Sequence, residues 1–385
     1  MIYLDNAATT PLRRDVLDCM MPYLTNAYGN PSSIYKLGRD NRIAIDNARE
    51  KTAQILGCSP AEVYFTGGGT ESDNWAIKGT ALANAKRGKH IITTEIEHHA
   101  VLHSCEALAR QGFEITYIKP DENGLIHPQA LQEALRDDTI LVTIMHANNE
   151  IGTIQPIAEL AEIAHGRGAI FHTDAVQTAG HIPTDVNGLG VDLMSLSGHK
   201  FGGPKGVGAL YIRKNVKIFP HQDGGAQERN KRAGTENVPG IVGLSRALEL
   251  ASEEMQNERE RLRELRDTFI KRILDEIPDS QLNGDDEQRL PNNVNISFDY
   301  IEGEGMLLLL DMQGISASSG SACTSGSLDP SHVLLSIGLP HEKAHGSLRL
   351  TLGRETTAEN IDFVVDKLVG IVARLRAMSP LKAHA

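Results

Sequence analysis

Met194-Ser-Leu-Ser-Gly-His-Lys-Phe-Gly-Gly-Pro-Lys-Gly-Val-Gly208 is the stretch on which the reading of this 385-residue chain turns. The mostly apolar run Val191–Leu196 has the length and composition of a short buried strand. It delivers Ser197, His199 and Lys200 at its end, where Gly202, Gly203, Pro204, Gly206 and Gly208 bend the chain sharply. Set among glycines, Lys200 can approach something small and planar. Two readings stand at this point. One is a lysine on a solvated turn, the commoner fate of lysines. The other is an amine that forms a Schiff base, which requires a dry site that lowers its pKa.

On either side of this stretch the sequence repeats one theme. Val63–Thr66, His90–Thr94, Phe113–Ile118, Ile140–Met145, Ala169–Thr173, Asp192–Leu196 and Ala209–Ile212 read as strands, and helical segments such as Ile157–His165 lie between most of them. This alternation predicts an α/β fold with a mostly parallel seven-stranded sheet flanked by helices. A long helical region over Pro239–Ile277, with a solvated charge run at Glu253–Arg266, leads to a second, smaller unit. There Asn293–Phe298 and Leu348–Leu352 read as strands, and the last helix lines up Ile361, Val364, Val365, Leu368, Ile371, Val372 and Leu375 on one face. The N-terminal strand, opening Tyr3-Leu-Asp-Asn-Ala-Ala-Thr-Thr-Pro11, is placed with this α+β unit. The expected division is a large domain over residues 15–256 and a small domain over residues 1–14 and 257–385.

Hydrophobic residues make up 40% of the chain and charged residues 23%, the proportions of an ordinary globular protein. A net charge of −12 argues against a nucleic-acid binder, which needs a basic face. The local basic cluster Gln227–Arg232 reads as a solvated loop. Cys19, Cys58, Cys105 and Cys323 contain no C-x-x-C pair, which removes a zinc ribbon and a disulfide framework. No apolar run approaches a membrane span, and the N-terminus shows no charged-then-apolar leader, so the expected location is the cytoplasm with no membrane partner.

Ligands of such sheets sit at the carboxyl ends of the strands, and the polar clusters fall there. Gly67-Gly-Gly-Thr-Glu-Ser72 opens a helix after the first strand, where free N–H groups and the helix dipole make a phosphate cradle. It has neither Walker nor G-x-G-x-x-G spacing, and a tight turn explains it nearly as well. Next, Glu95-Ile-Glu-His-His99 puts His98 at a helix start, facing the sheet edge. His99 and His103 share a helix face, but without H-E-x-x-H no metal is expected. Asn149, in Met145-His-Ala-Asn-Asn-Glu150, offers both a donor and an acceptor. Asp174 and Gln177 follow another strand; an acid there is a helix cap or the partner of a heterocyclic nitrogen. With Lys200, the set matches what pyridoxal phosphate needs: an anchored phosphate, a protonated ring nitrogen, a covered ring face and a Schiff-base lysine.

A second centre lies in Ser318-Ser-Gly-Ser-Ala-Cys-Thr-Ser-Gly-Ser327. A thiol among small polar residues is read as exposed and reactive, and Cys323 is the one cysteine so placed. Arg349 is either a solvated edge-strand residue or a fork for a substrate carboxylate.

Taken together, Ser197-Gly-His-Lys200 and Ser318-Ser-Gly-Ser-Ala-Cys-Thr324 resemble the cysteine desulfurases of the NifS/IscS type, class-V aminotransferases of the fold-type I pyridoxal-phosphate group. Gly224-Gly-Ala-Gln-Glu-Arg229 and Arg232-Ala-Gly-Thr-Glu-Asn237 resemble the NifS branch more than the IscS branch. The resemblance spans essentially the whole chain. It implies that Lys200 holds the cofactor, His98 stacks on its ring, Asp174 pairs with the pyridine nitrogen and Gln177 with the phenolic oxygen. It further implies that Gly69, Thr70, Ser197 and His199 bind the phosphate, joined by Thr235 of the partner subunit in a homodimer. Asn149 and Arg349 hold the carboxylate of L-cysteine, and Cys323 accepts the sulfur as a persulfide for an iron–sulfur scaffold or another acceptor protein. Selenocysteine lyase or another class-V activity is the alternative.

Overall fold

The computed structural model describes residues 1–319 and 330–379. Seven strands form the main sheet: β2 (Val63–Thr66), β3 (His90–Thr94), β4 (Glu114–Ile118), β5 (Thr139–Thr143), β6 (Ile170–Asp174), β7 (Leu193–Ser197) and β8 (Gly208–Ile212), after the short β1 (Ile2–Tyr3). Their spatial order is β2-β8-β7-β6-β5-β3-β4. Neighbours pair in parallel, save that β8 runs antiparallel to both β2 and β7. The expected strands lie within one or two residues of the observed ones. Continuous apolar runs made them legible, since strands covered on both faces carry no alternation to misread.

Helices cover both faces. Helix Lys36–Leu56 buries Ile45, Ala48, Ala53 and Leu56 against the sheet. Helix Val238–Glu276 buries Val238, Ile241, Leu244 and Leu248 in the same core, while its far end contributes Leu262, Phe269 and Ile273 to a second core. That second core gathers around β10 (Asn293–Phe298), which lies between β9 (Ser280–Leu282) and β12 (Ser347–Thr351), and helix Ala358–Met378 packs on it. The N-terminal strand joins this end of the molecule: β1 pairs in parallel with β11 (Ile315–Ser316), and Asp5 bridges to Thr351. Residues 5–13 then cross back to the main sheet.

The loop over Gln227–Arg232 is only partly the solvated segment its composition suggested: Arg229 and Asn230 are exposed, but Glu228 points inward. Glu228 is buried in a bidentate pair with Arg49, both contacts at 2.7 Å, and it also accepts from the Phe65 amide. Glu228, Arg229 and Asn230 take positive φ values of 44°, 58° and 63°, a left-handed run that L-residues adopt only when the surroundings hold them there. The partner that holds it lies 179 residues earlier, so no local pattern announces it. Arg49→Met would leave Glu228 buried without its cation, and about 3–5 kcal/mol of stability should be lost. A fall in the urea midpoint with an unchanged slope is the expected readout; an unshifted midpoint would mean the pair contributes nothing.

Candidate active site

Lys200 lies in the turn Gly198–Lys200 directly after β7, and β8 returns beside it. That return needs glycine: a Cβ on Gly208 would sit 2.6 Å from the Leu196 carbonyl oxygen and 2.7 Å from the Gly68 backbone. The close passage brings the start of helix Gly69–Asn74 next to the Lys200 turn. The first amides of that helix have no intrahelical acceptor and carry the positive end of its dipole. Gly69, Thr70, Ser197 and His199 line one cavity of about 730 Å³ with these amides. Four residues named separately from sequence therefore meet in one place. Thr9, Asn74, Lys205 and His221 line it too and were missed. Lys205 had a signal, as a cation within the same glycine turn.

The lysine is held from an unexpected side. Its Nζ donates to the carbonyls of Ala7, at 2.5 Å, and Ala8, at 3.0 Å, on the segment crossing from the N-terminus. Thr10 donates to the His199 carbonyl through its amide and its hydroxyl, Thr9 Oγ1 meets His199 Nδ1 at 3.1 Å, and Gln177 Nε2 donates to the Ala7 carbonyl. Backbone carbonyls carry no residue signature, so this strap was illegible in the sequence.

Asp174 ends β6 and is buried, its Oδ1 accepting from the Val176 amide at 2.8 Å. Burial pushes its pKa up to about 6, and that amide and the Lys200 charge hold it from rising further. His98 caps helix His99–Ala109: its Nδ1 accepts from the Ala100 amide at 3.1 Å, so the ring proton sits on Nε2. Burial first, then the charge of Lys200, lowers its pKa to about 4, and the ring is neutral. Similarly, His199 is brought to about 4 by burial and by Lys200 and Lys205.

Arg349 is buried on β12, so the solvated-edge reading fails. Its Nη1 donates to the Asn149 carbonyl at 3.2 Å, its Nη2 to Asp5 Oδ1 at 3.0 Å, and its buried Nε has no hydrogen-bond partner among the described residues. Such an orphaned guanidinium donor is costly unless something acidic completes it. Thr235 is exposed and does not line the cavity within one chain. Cys323 lies outside the described residues. His99 sits among rings, 5.1 Å from His103 and 4.9 Å from His332 between centroids.

These residues fit pyridoxal phosphate on their own geometry. A Cβ on Gly69 would strike Val176 at 2.7 Å, so the cradle is built around a bare backbone, and the acid that would meet a ring nitrogen is already buried near the amine. The profile of the aminotransferase class-V family matches residues 2–364. A cysteine desulfurase IscS of Methanosarcina thermophila is 60% identical over 380 residues, 99% of this chain and 94% of that protein. The chain belongs to the cysteine desulfurases of the NifS/IscS type within the class-V aminotransferases. Among solved structures, a NifS-like protein superposes with a TM-score of 0.92 at 40% identity, covering 97% of this chain and 100% of that one. Another, SspA in complex with cysteine, gives 0.80 at 37% identity over 91% and 99%. Among the described residues no helix is long and apolar enough to cross a membrane.

Glu97, just beyond β3 in this desulfurase, is fully buried. Its Oε1 accepts from Thr94 Oγ1 and the Met145 amide, its Oε2 has no partner, and burial raises its pKa to about 8. The unfolded value is about 4.3. Between those limits the native protein keeps a proton that the unfolded chain has released, so this group makes stability fall as pH rises. Glu97→Gln keeps an acceptor and removes the titration. The melting temperature of the variant relative to wild type should therefore rise from about pH 4.5 to about pH 8 and level off above. A constant difference across that window would contradict the assignment.

Proposed function

We propose that this chain is a pyridoxal-phosphate-dependent cysteine desulfurase that transfers the sulfur of L-cysteine to Cys323 as a persulfide and releases L-alanine. The observation that carries the reading is the convergence of Lys200, the buried Asp174 and the Gly69 helix start at one sheet edge, with the Arg349 guanidinium reaching Asn149. The similarity to a protein solved in complex with cysteine supports that amino acid as the substrate.

Gly69, Thr70, Ser197 and His199 hold the phosphate, joined by Thr235 of the partner subunit in a homodimer. Asp174 keeps the ring nitrogen protonated, neutral His98 covers the ring face, and Gln177 binds the phenolic oxygen. When bound, the cofactor supplies an electron sink for the pair left at the substrate Cα. Arg349 and Asn149 fix the carboxylate. Lys200, the residue that anchors the cofactor, takes the Cα proton on Nζ, a role typically worth about 10²–10⁴ in rate. The Cys323 thiolate attacks the substrate sulfur; the S–S bond forms, the Cβ–S bond breaks, and Cβ leaves with the electron pair to be protonated as the methyl of alanine. The sulfur then passes to an acceptor protein, such as an iron–sulfur scaffold, in the cytoplasm. In this reading residues 15–256 hold the cofactor, and residues 1–14 and 257–385 form the small domain that carries Cys323.

Mass spectrometry after treatment with L-cysteine should find one extra sulfur on Cys323 and stoichiometric alanine. Sulfide release at the wild-type rate from Cys323→Ser would refute the mechanism. Lys200→Ala should abolish turnover, and borohydride should fix the cofactor to Lys200 in the wild type; label on a different lysine overturns that role. Arg349→Ala, which removes a buried charged contact, should lower kcat/KM for L-cysteine by roughly 10²-fold, mostly through KM.

A further inference from the structure

Behind Asp174 lies a second carboxyl group that the mechanism does not use. Asp73, on helix Gly69–Asn74, is 1% exposed and has Asp174 and His172 of β6, Ser195 of β7 and Glu97 as its titratable and polar neighbours. Its Oδ1 has no hydrogen-bond partner. The nearest basic atom, His172 Nε2, is 3.7 Å from that oxygen and is already engaged by Ser195 Oγ at 3.0 Å. The other ring nitrogen, Nδ1, meets Thr143 Oγ1 at 2.8 Å. His172 is fully buried, and burial brings its pKa down to about 3, so it supplies no cation. Glu97 is buried with an unpartnered oxygen of its own.

Two carboxyl groups in one dry site do not both ionise, because like charges repel and neither is solvated. The surroundings decide which one keeps the proton. Asp174 has a backbone amide on Oδ1 and the positive charge of Lys200 nearby. Asp73 has an orphaned oxygen, a neutral imidazole and a hydroxyl, and burial together with the charge of Asp174 raises its pKa well above the usual range. Burial and the charge of Asp174 outweigh the Ser195 hydroxyl, which lowers the Asp73 pKa. Once Asp73 is protonated, Ser195 can accept its proton while turning its own hydroxyl to His172 Nε2, with His172 Nδ1–H on Thr143 Oγ1.

We propose that Asp73 is a positioning residue that stays protonated and thereby confines the buried negative charge to Asp174, where the ring nitrogen of the cofactor meets it; this rests on the function proposed above. Ser195 and His172 hold the Asp73 proton in a one-directional chain that ends at Thr143.

Infrared spectroscopy of protein labelled with carbon-13 aspartate separates Asp73 from Glu97. At neutral pH the labelled wild type should show the C=O stretch of a protonated aspartic acid, and Asp73→Asn should lose it. Absence of the band in the wild type, which needs no variant to fold, overturns the proposal, as does a band undiminished in Asp73→Asn. Titrating cofactor-free protein with pyridoxal phosphate gives the second readout. Asp73→Asn, a neutral isostere, should bind within about threefold of wild type, whereas Asp174→Asn should bind at least about tenfold more weakly. Equal losses in the two variants refute the role of Asp73 while the cofactor reading stands. Undiminished binding by Asp174→Asn refutes the cofactor reading itself.

Discussion

Everything at the site depends on two backbones passing with no side chain between them. Gly208 on β8 runs so close to Gly68 and to the Leu196 carbonyl that even a methyl group would force them apart. Because β8 enters the sheet between β2 and β7, the only antiparallel member, it ties the glycine cradle after β2 to the lysine turn after β7. The carboxyl ends of the parallel strands then do the rest. β6 brings Asp174, and the segments after β3 and β5 bring His98 and Asn149. A lysine, a buried acid, a histidine and a glycine cradle from elements far apart in the chain are thus adjacent at one edge, where ligands of such sheets bind.

The electrostatics at that edge are those of a dry site. Three carboxyl groups and several imidazoles are buried there, and burial moves the acids up and the histidines down, so most of them are neutral. The neutral majority is what gives the remaining charges their effect. In a low-dielectric pocket an ion pair such as Arg349 with Asp5 is screened less than the same pair in water.

Much of this could be read from the sequence, for physical reasons. The strands of the main sheet are short unbroken apolar runs, and the cradle, His98, Asp174 and Lys200 sit where those runs end. The two-residue strands β1 and β11 are too short for periodicity to define, although the opening turn after Tyr3 was visible. Asp73 and His172 were not singled out, since a polar residue in a buried helix or strand looks the same whether it faces a partner or solvent. Arg49 and Glu228 pair across a separation that no local pattern spans, and the composition of Gln227–Arg232, solvated at Arg229 and Asn230, hid the buried Glu228 beside them. The Ala7 and Ala8 carbonyls left no trace, being the part of a residue that every residue has.

The strap from the N-terminus has a consequence for how the protein comes into being. The carbonyls that hold Lys200 belong to residues 7 and 8, whose own position is fixed by β1 on β11 and by Thr351, whose carbonyl and hydroxyl are bound by Asn6 and Ala7. During synthesis the first residues emerge long before the strands that seat them, and contacts of such sequence separation form late. The strap over Lys200 is therefore made first but seated only once β11 and Thr351, well after the main sheet in the chain, are in place. A ribosome-bound chain that already carries the whole main sheet still lacks the contacts that seat residues 7 and 8 over Lys200.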